Sequence, residues 1–144
     1  KQFESFSYKT LKDLKKKIDT LGLDIPIYPK VEILQQNVKV YNIIIPNRIA
    51  VQPMEGFDAN INGAPQKLTY RRYQRYAKGG PGLIWFEATA ISHDCRSNPH
   101  QLVLSEENFE KFKDLVSFTR KICNKTLMDL GFVNKCVLII QLNH

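Results

Sequence analysis

The sequence predicts an α/β fold built on a parallel sheet, and three observations carry that expectation. Two apolar runs, one in Asn47-Arg48-Ile49-Ala50-Val51-Gln52-Pro53-Met54 and one in Gly82-Leu83-Ile84-Trp85-Phe86-Glu87-Ala88-Thr89-Ala90, each stop on small or polar residues. An amphipathic helical stretch separates them, which is the order of a β-α-β unit. A third apolar run, Cys136-Val137-Leu138-Ile139-Ile140-Gln141-Leu142-Asn143-His144, again ends on polar side chains. In parallel α/β folds the carboxyl ends of the strands carry the active site, so chemistry is expected at three successive strand ends.

A chain of 144 residues that is 43% apolar can bury one core. No apolar run approaches the roughly 20 residues needed to cross a bilayer. The opening Lys1-Gln2-Phe3-Glu4 has no signal-peptide pattern, and a chain that begins on Lys rather than Met reads as trimmed or processed. A cytoplasmic protein without a membrane partner is expected. Cys95, Cys123 and Cys136 are odd in number, which suits free thiols in a reducing compartment better than a disulfide scaffold. The net charge of +7 could attract nucleic acid or phosphorylated ligands. Much of the excess, however, sits in Lys12, Lys15, Lys16 and Lys17 and in Arg71, Arg72, Arg75 and Lys78, on the polar faces of two helices. No recognised nucleic-acid module accompanies it, so none is expected as a partner.

Residues 10–21 read as a first amphipathic helix, with Leu11, Leu14, Ile18 and Leu21 spaced by three and four. Thr10 and Asp13 can form a variant capping box, Gly22 is a left-handed stop, and Pro26 and Pro29 make an extended connector. Residues 1–30 are therefore expected to be a helical extension, and residues 31–144 the fold proper. Residues 38–45 predict a strand, a tight turn at Tyr41-Asn42 and a return strand, ended by Pro46. The next strand starts at 49–51. The polar stretch 56–68, with Gly63 and Pro65, reads as a loop. Residues 69–78 predict a helix that puts Tyr70, Tyr73, Tyr76 and Ala77 on one face, a spacing that favours packing against a sheet over stacking on bases. Gly79 closes it.

The run Leu83–Ala90 is almost wholly apolar, as a strand buried on both faces would be. Residues 91–104 form a long loop holding His93, Asp94, Cys95, Arg96 and His100. Ser105 is expected to cap a helix with Glu106 and Glu107 in its first turn, where the helix dipole favours negative charge. Phe109, Phe112, Leu115, Val116 and Ile122 form its buried face. For residues 124–135 two readings stand: Leu127, Met128 and Leu130 continue the helix or cover a strand end. Cys123 falls near the end of that helix, and Cys136 packs at the start of the third strand.

Taken in order, Pro46-Asn47-Arg48-Ile49 leading to Pro53-Met54, Arg72-Tyr73, Gly79-Gly80-Pro81-Gly82-Leu83-Ile84, Glu87-Ala88-Thr89-Ala90, Arg96 with Pro99, and Gln141-Leu142-Asn143-His144 resemble the amino-terminal part of the old yellow enzyme family of flavin-dependent ene reductases. The resemblance covers residues 31–144. The opening helix, with Gln52-Pro53-Met54-Glu55-Gly56, is similar to a bacterial branch of NADH-dependent flavin oxidoreductases. The resemblance implies a (β/α)8 TIM barrel that holds FMN non-covalently at the carboxyl ends of its strands. Such a barrel takes about 250 residues. The chain is thus expected to supply the bottom hairpin and the first three parallel strands, and to lack the rest.

The resemblance also implies the site residues. Pro53 and Met54 correspond to the pair whose backbone touches the flavin ring, although alone Pro53 would read as a strand end. Glu55 stands where many relatives carry Thr or Cys near the reactive edge. A carboxylate there disfavours added negative charge on a reduced ring unless it is protonated or paired, for instance with an arginine. Ala88 corresponds to the small residue that lets the ring approach the second strand; from sequence alone an ordinary small core residue reads equally well. Gln141 carries an amide with both donor and acceptor, which suits the polar edge of the flavin pyrimidine. Glu87, inside a buried run, needs a backbone or arginine partner and reads as structural. His144 lies near the site without a catalytic role. The family's substrate-carbonyl pair, proton-donating tyrosine and phosphate-gripping loops fall beyond residue 144, so the catalytic residues are unknown.

The expected activity is an FMN-dependent oxidoreductase that moves hydride from NADH or NADPH to an α,β-unsaturated carbonyl or similar small electrophile. The alternative is a catalytically incompetent partial barrel that acts through self-association or with a partner chain or the remainder of the barrel. A third is another β/α-barrel enzyme, such as a phosphate-binding lyase, since barrels host many chemistries. A zinc site from His93, Cys95, His100 and His144 matches no common spacing, so no metal is expected, and Cys95 as a nucleophile has only His93 nearby.

Overall fold

A computed structural model describes residues 5–28 and 30–144. Residues 1–4, read above for a signal peptide, and Pro29, read as half of the proline connector, lie outside the described residues. The chain separates into two compact units, Lys1–Val31 and Glu32–His144.

The first unit holds helix α1 (Leu11–Thr20). Its start is set locally. The Thr10 hydroxyl accepts from the Asp13 N–H at 3.2 Å, and the Asp13 carboxylate accepts from the Thr10 N–H at 3.2 Å. This is the expected capping box, and Gly22 at φ +62° ends the turn that follows. Of the four apolar positions only Ile18 is buried, and Leu11 and Leu21 stay exposed. Among the described residues so short a unit has no second layer to cover them.

In the second unit, β1 (Val38–Val40) and β2 (Ile43–Ile45) pair antiparallel, with Val38 opposite Ile45. Tyr41 takes the left-handed conformation (φ +51°) that the tight turn requires. Strands β3 (Ala50–Val51), β4 (Leu83–Ala90) and β5 (Val137–Asn143) form a parallel sheet in the order β3-β4-β5. Helices α2 (Lys67–Lys78) and α3 (Phe109–Asp129) make the crossovers. Tyr73 and Ala77 of α2, Leu115, Cys123 and Leu127 of α3, and Ile84 and Phe86 of β4 form the core, with Leu138 and Ile140 of β5 against it. Tyr73 lies flat on Phe86, with ring centres 4.4 Å apart. Beneath the sheet, buried Asn47 donates to the Gly80 carbonyl (2.8 Å) and accepts from the N–H groups of Ile49 (3.1 Å) and Gly82 (2.7 Å). One side chain thereby ties the start of β3 to the start of β4. The result is an open arc of a β/α barrel with its bottom hairpin.

Four expectations need correction. Helix α2 begins at Lys67, before the apolar pattern shows it, because the Thr69 hydroxyl reaches back to accept from the Gln66 N–H at 3.0 Å. Ser105 does not cap α3. Its hydroxyl oxygen is buried without a hydrogen-bond partner among the described residues, and only its carbonyl accepts, from the Asn108 N–H. The helix starts at Phe109, which is exposed, and the fully buried stripe is Phe112, Leu115, Thr119, Cys123 and Leu127. Thr119 joins it by donating to the Leu115 carbonyl at 2.7 Å, so its polar atom is satisfied within the helix. The helix runs on to Asp129, which answers the open reading of 124–135 in favour of continuation. Finally, β4 is not buried on both faces. The helices cover one face only, and on the other Trp85 remains 39% exposed.

Candidate functional site

Alternation along the strands assigns the two faces of the sheet. Ile84 and Phe86 on β4 and Leu138 and Ile140 on β5 pack under the helices, so Trp85, Ile139 and Gln141 face the other way. The β4–β5 register runs one for one from Leu83 opposite Val137 to Phe86 opposite Ile140, then resumes with Ala88 opposite Gln141. Glu87 is the extra residue, a β-bulge. Were the one-for-one register to continue, Ala88 would stand beside Leu142, on the helix side. With the bulge, Ala88 stands beside Gln141 on the open face, at the carboxyl end of the sheet.

Glu87 is buried and fully engaged. Its N–H donates to the Tyr73 hydroxyl at 2.9 Å, outside the strand ladder. Its carboxylate accepts from Arg72 Nη2 (2.6 Å), the Gly56 N–H (2.9 Å) and the Tyr73 hydroxyl (3.2 Å). Arg72 also donates through Nε and Nη2 to both oxygens of Asp58, at 3.1 and 3.0 Å. Two carboxylates thus share one guanidinium. Burial pushes the Glu87 carboxyl above its ordinary range, against the lowering effect of the Gly56 N–H and Arg72. Burial works against the charge on Arg72, but its hydrogen bonds to Asp58 and the charge of Glu87 prevail and hold it protonated. Between the two anchored ends of this segment, Phe57 sits at φ +52°, a left-handed conformation unusual for a bulky residue.

The residues that the sequence nominated lie as follows. Pro53 is half-buried and Met54 exposed, in the segment after β3, with the Met54 carbonyl 3.4 Å from Arg72 Nη1. Glu55 does not meet an arginine. Arg72 is already held by Asp58 and Glu87, and Glu55 instead accepts from Ser97 Oγ (3.0 Å) and Asn98 Nδ2 (2.9 Å) of the following loop. Ala88 and Gln141 are brought together as register partners. Gln141 is half-buried, and its side-chain amide has no hydrogen-bond partner among the described residues. His144 is exposed. Glu87 finds both a backbone and an arginine partner. Among the described residues no three His, Cys, Asp or Glu side chains are grouped to hold a metal; His100 Nδ1 lies 2.9 Å from the Ala59 carbonyl and Cys95 Sγ 2.9 Å from Ser92 Oγ.

Sequence reading missed Asp58, Gln101 and Asn143. Buried Gln101 donates to the Ala88 carbonyl (3.1 Å) and to Asn143 Oδ1 (2.9 Å), and accepts from the Ser97 N–H (2.7 Å). Asn143 donates to the Cys95 carbonyl at 3.0 Å. The 91–104 loop is thereby pinned to the ends of β4 and β5. The one available signal was a lone amide set against the apolar Leu102-Val103-Leu104.

No protein-family model matches the chain, and no curated protein matches it. Solved structures do. A structure of morphinone reductase in complex with tetrahydroNAD superposes with a TM-score of 0.59 at 20% identity, covering 77% of this chain and 27% of that one. The old yellow enzyme from Pichia sp. AKU4542 gives 0.60 at 18% identity, covering 78% and 26%. The chain has part of the old yellow enzyme fold. The old yellow enzyme from Trypanosoma cruzi gives 0.57 at 20% identity, covering 78% and 27%. The chain therefore spans about a quarter of the length of the old yellow enzymes it matches. Ala88 and Gln141 meet on the face of the sheet opposite the helices.

Proposed function

We propose that the chain forms one wall of an FMN cradle in an NAD(P)H-dependent oxidoreductase of the old yellow enzyme type. The observation that carries this reading is the pair on the open face: a small side chain, Ala88, next to a half-buried amide, Gln141, with no partner of its own. A flat heteroaromatic ring needs close, small-residue packing on its face and a donor and acceptor on its polar edge. The residues fit. Gln141 would hold the pyrimidine edge, Ala88 would leave room for the ring, and the backbone at Pro53 and Met54 would line it from β3. Glu55 borders the same strand ends, its carboxylate occupied by Ser97 and Asn98. Bound FMN would supply hydride chemistry between NADH or NADPH and a small electrophile such as an α,β-unsaturated carbonyl. The tetrahydroNAD in the morphinone reductase structure supports a nicotinamide donor. Three free thiols suit a reducing compartment such as the cytoplasm. The visible absorption spectrum of the native protein carrying this chain tests the reading. Flavin bands that persist through desalting are expected; a protein that stays colourless after incubation with FMN overturns it.

A second reading is favoured by the sheet edges. Strands β3 and β5 each pair with one neighbour only among the described residues, which leaves two edges open to another copy or a partner chain. On this reading the chain by itself self-associates and binds FMN weakly or not at all. A monomer holding stoichiometric flavin would contradict it.

A further inference from the structure

Glu87 is a buried acid for which the proposed redox chemistry has no use, and it stands where the β4–β5 register shifts. We propose that Glu87 is a positioning residue: by filling the bulge and gripping Arg72 and Gly56, it fixes both the Ala88–Gln141 pair and the backbone of residues 54–58.

Three independent features converge on it. The first is the register. The Glu87 N–H is taken by the Tyr73 hydroxyl, so the strand carries one extra residue and Ala88 is turned to the open face. The second is the close approach of the backbone at Gly56. Its N–H reaches Glu87 Oε2, and a Cβ built at this position would collide with the Arg72 guanidinium. Only glycine lets the chain pass so near the ion pair. The third is Phe57. A bulky residue in the left-handed region costs about 1 kcal/mol or more and persists where the surroundings over-determine it. Here the chain is anchored on both sides, at Gly56 by Glu87 and at Asp58 by Arg72, while the Thr69 hydroxyl also donates to Asp58 at 2.7 Å.

A buried ion pair is a weak source of net stability, because the cost of taking both charges out of water offsets their attraction. Geometry is the better account of this one. Glu87 ties its own strand, β4, to two other elements: α2 through Arg72 and Tyr73, and the segment after β3 through Gly56. Its effect on ring binding rests on the flavin reading above; its effect on the backbone does not.

The test is amide hydrogen exchange on the native protein carrying this chain, with and without FMN, comparing wild type with Glu87→Gln. The substitution keeps size, removes the charge and replaces one acceptor oxygen with an NH2 group, so the side chain can no longer accept from both the Gly56 N–H and Arg72. Exchange at Gly56 is expected to rise by roughly tenfold or more while the amides of α3 stay unchanged, and flavin affinity to fall by about tenfold with a shift in the flavin bands. Gly56 exchange equal to wild type, or an acceleration spread evenly over α3, overturns the proposal. Should Glu87→Gln fail to fold, Asp58→Asn, which loosens Arg72 and leaves the Glu87–Gly56 bond in place, is expected to leave Gly56 exchange near the wild-type rate; a roughly tenfold rise there would assign the anchoring to Asp58 and overturn the proposal. If the protein takes up no flavin, the flavin reading fails and the exchange at Gly56 still decides the positioning role.

Discussion

Gln141 offers a donor and an acceptor that nothing else among the described residues uses, while most buried polar groups here are satisfied. Replacing it with leucine keeps the volume and removes both functions. Gln141→Leu is expected to weaken FMN binding to the native protein about tenfold, near 1.4 kcal/mol, and to leave the melting temperature almost unmoved; fluorescence titration of the flavin and thermal unfolding check both. Glu87 behaves differently. Burial lifts its folded-state pKa, so the folded protein holds this proton more tightly than the unfolded chain does. Its contribution to stability is then full below the ordinary carboxylate range and is lost as pH rises through the lifted value. The melting temperature of wild type is expected to fall relative to that of Glu87→Gln as pH rises out of the ordinary carboxylate range and through the lifted value. At this scale the sequence showed that Glu87 required a partner, and the motif order singled out Ala88 and Gln141. It did not show that Arg72 would be saturated by Asp58 and Glu87, which is why the arginine expected beside Glu55 is absent there.

At the scale of elements, legibility followed locality. The Thr10–Asp13 box spans one helical turn, so the pattern of residues suffices to start α1. The start of α3 depends in part on a distant group, the Asn62 carbonyl. Asn108 Nδ2 donates to the carbonyls of Asn62 (2.6 Å) and Val103 (3.1 Å), which draws the chain into its turn, and nothing near Ser105 announces the Asn62 partner. The bulge at Glu87 was equally hidden, because an apolar run gives no period-of-two signal in which one extra residue could show. Asn47 shows the reverse case: a polar residue before a strand, whose three hydrogen bonds clamp β3 to β4. Asn47→Ala leaves the Gly80 carbonyl and the Ile49 N–H without this partner, and the Gly82 N–H with only its bond to the Ile49 carbonyl. It is expected to cost about 2–3 kcal/mol, read as a lower denaturant midpoint at unchanged slope.

For the whole molecule, the parallel β-α-β order and the bottom hairpin could be read directly, because hydrophobic runs and turn residues encode them locally. The apolar run of β4 alone could not show that one face of the sheet would stand open, since a strand inside a closed barrel and a strand in an open arc carry the same run; the length, short of the about 250 residues of a barrel, did. The open face, with Trp85 partly exposed, and the two free edges expose apolar surface and unpaired backbone together. The chain alone is therefore expected to sediment as concentration-dependent oligomers in analytical ultracentrifugation, and a sharp monomer across a hundredfold range, about two decades, would argue against it. The most direct measurement of the central claim is the crystal structure of the native protein with FMN bound. The Gln141 amide should lie within hydrogen-bonding distance of the pyrimidine edge of the ring, with Ala88 under its face. A ring bound elsewhere, or a Gln141 side chain turned beneath the helices, would contradict it.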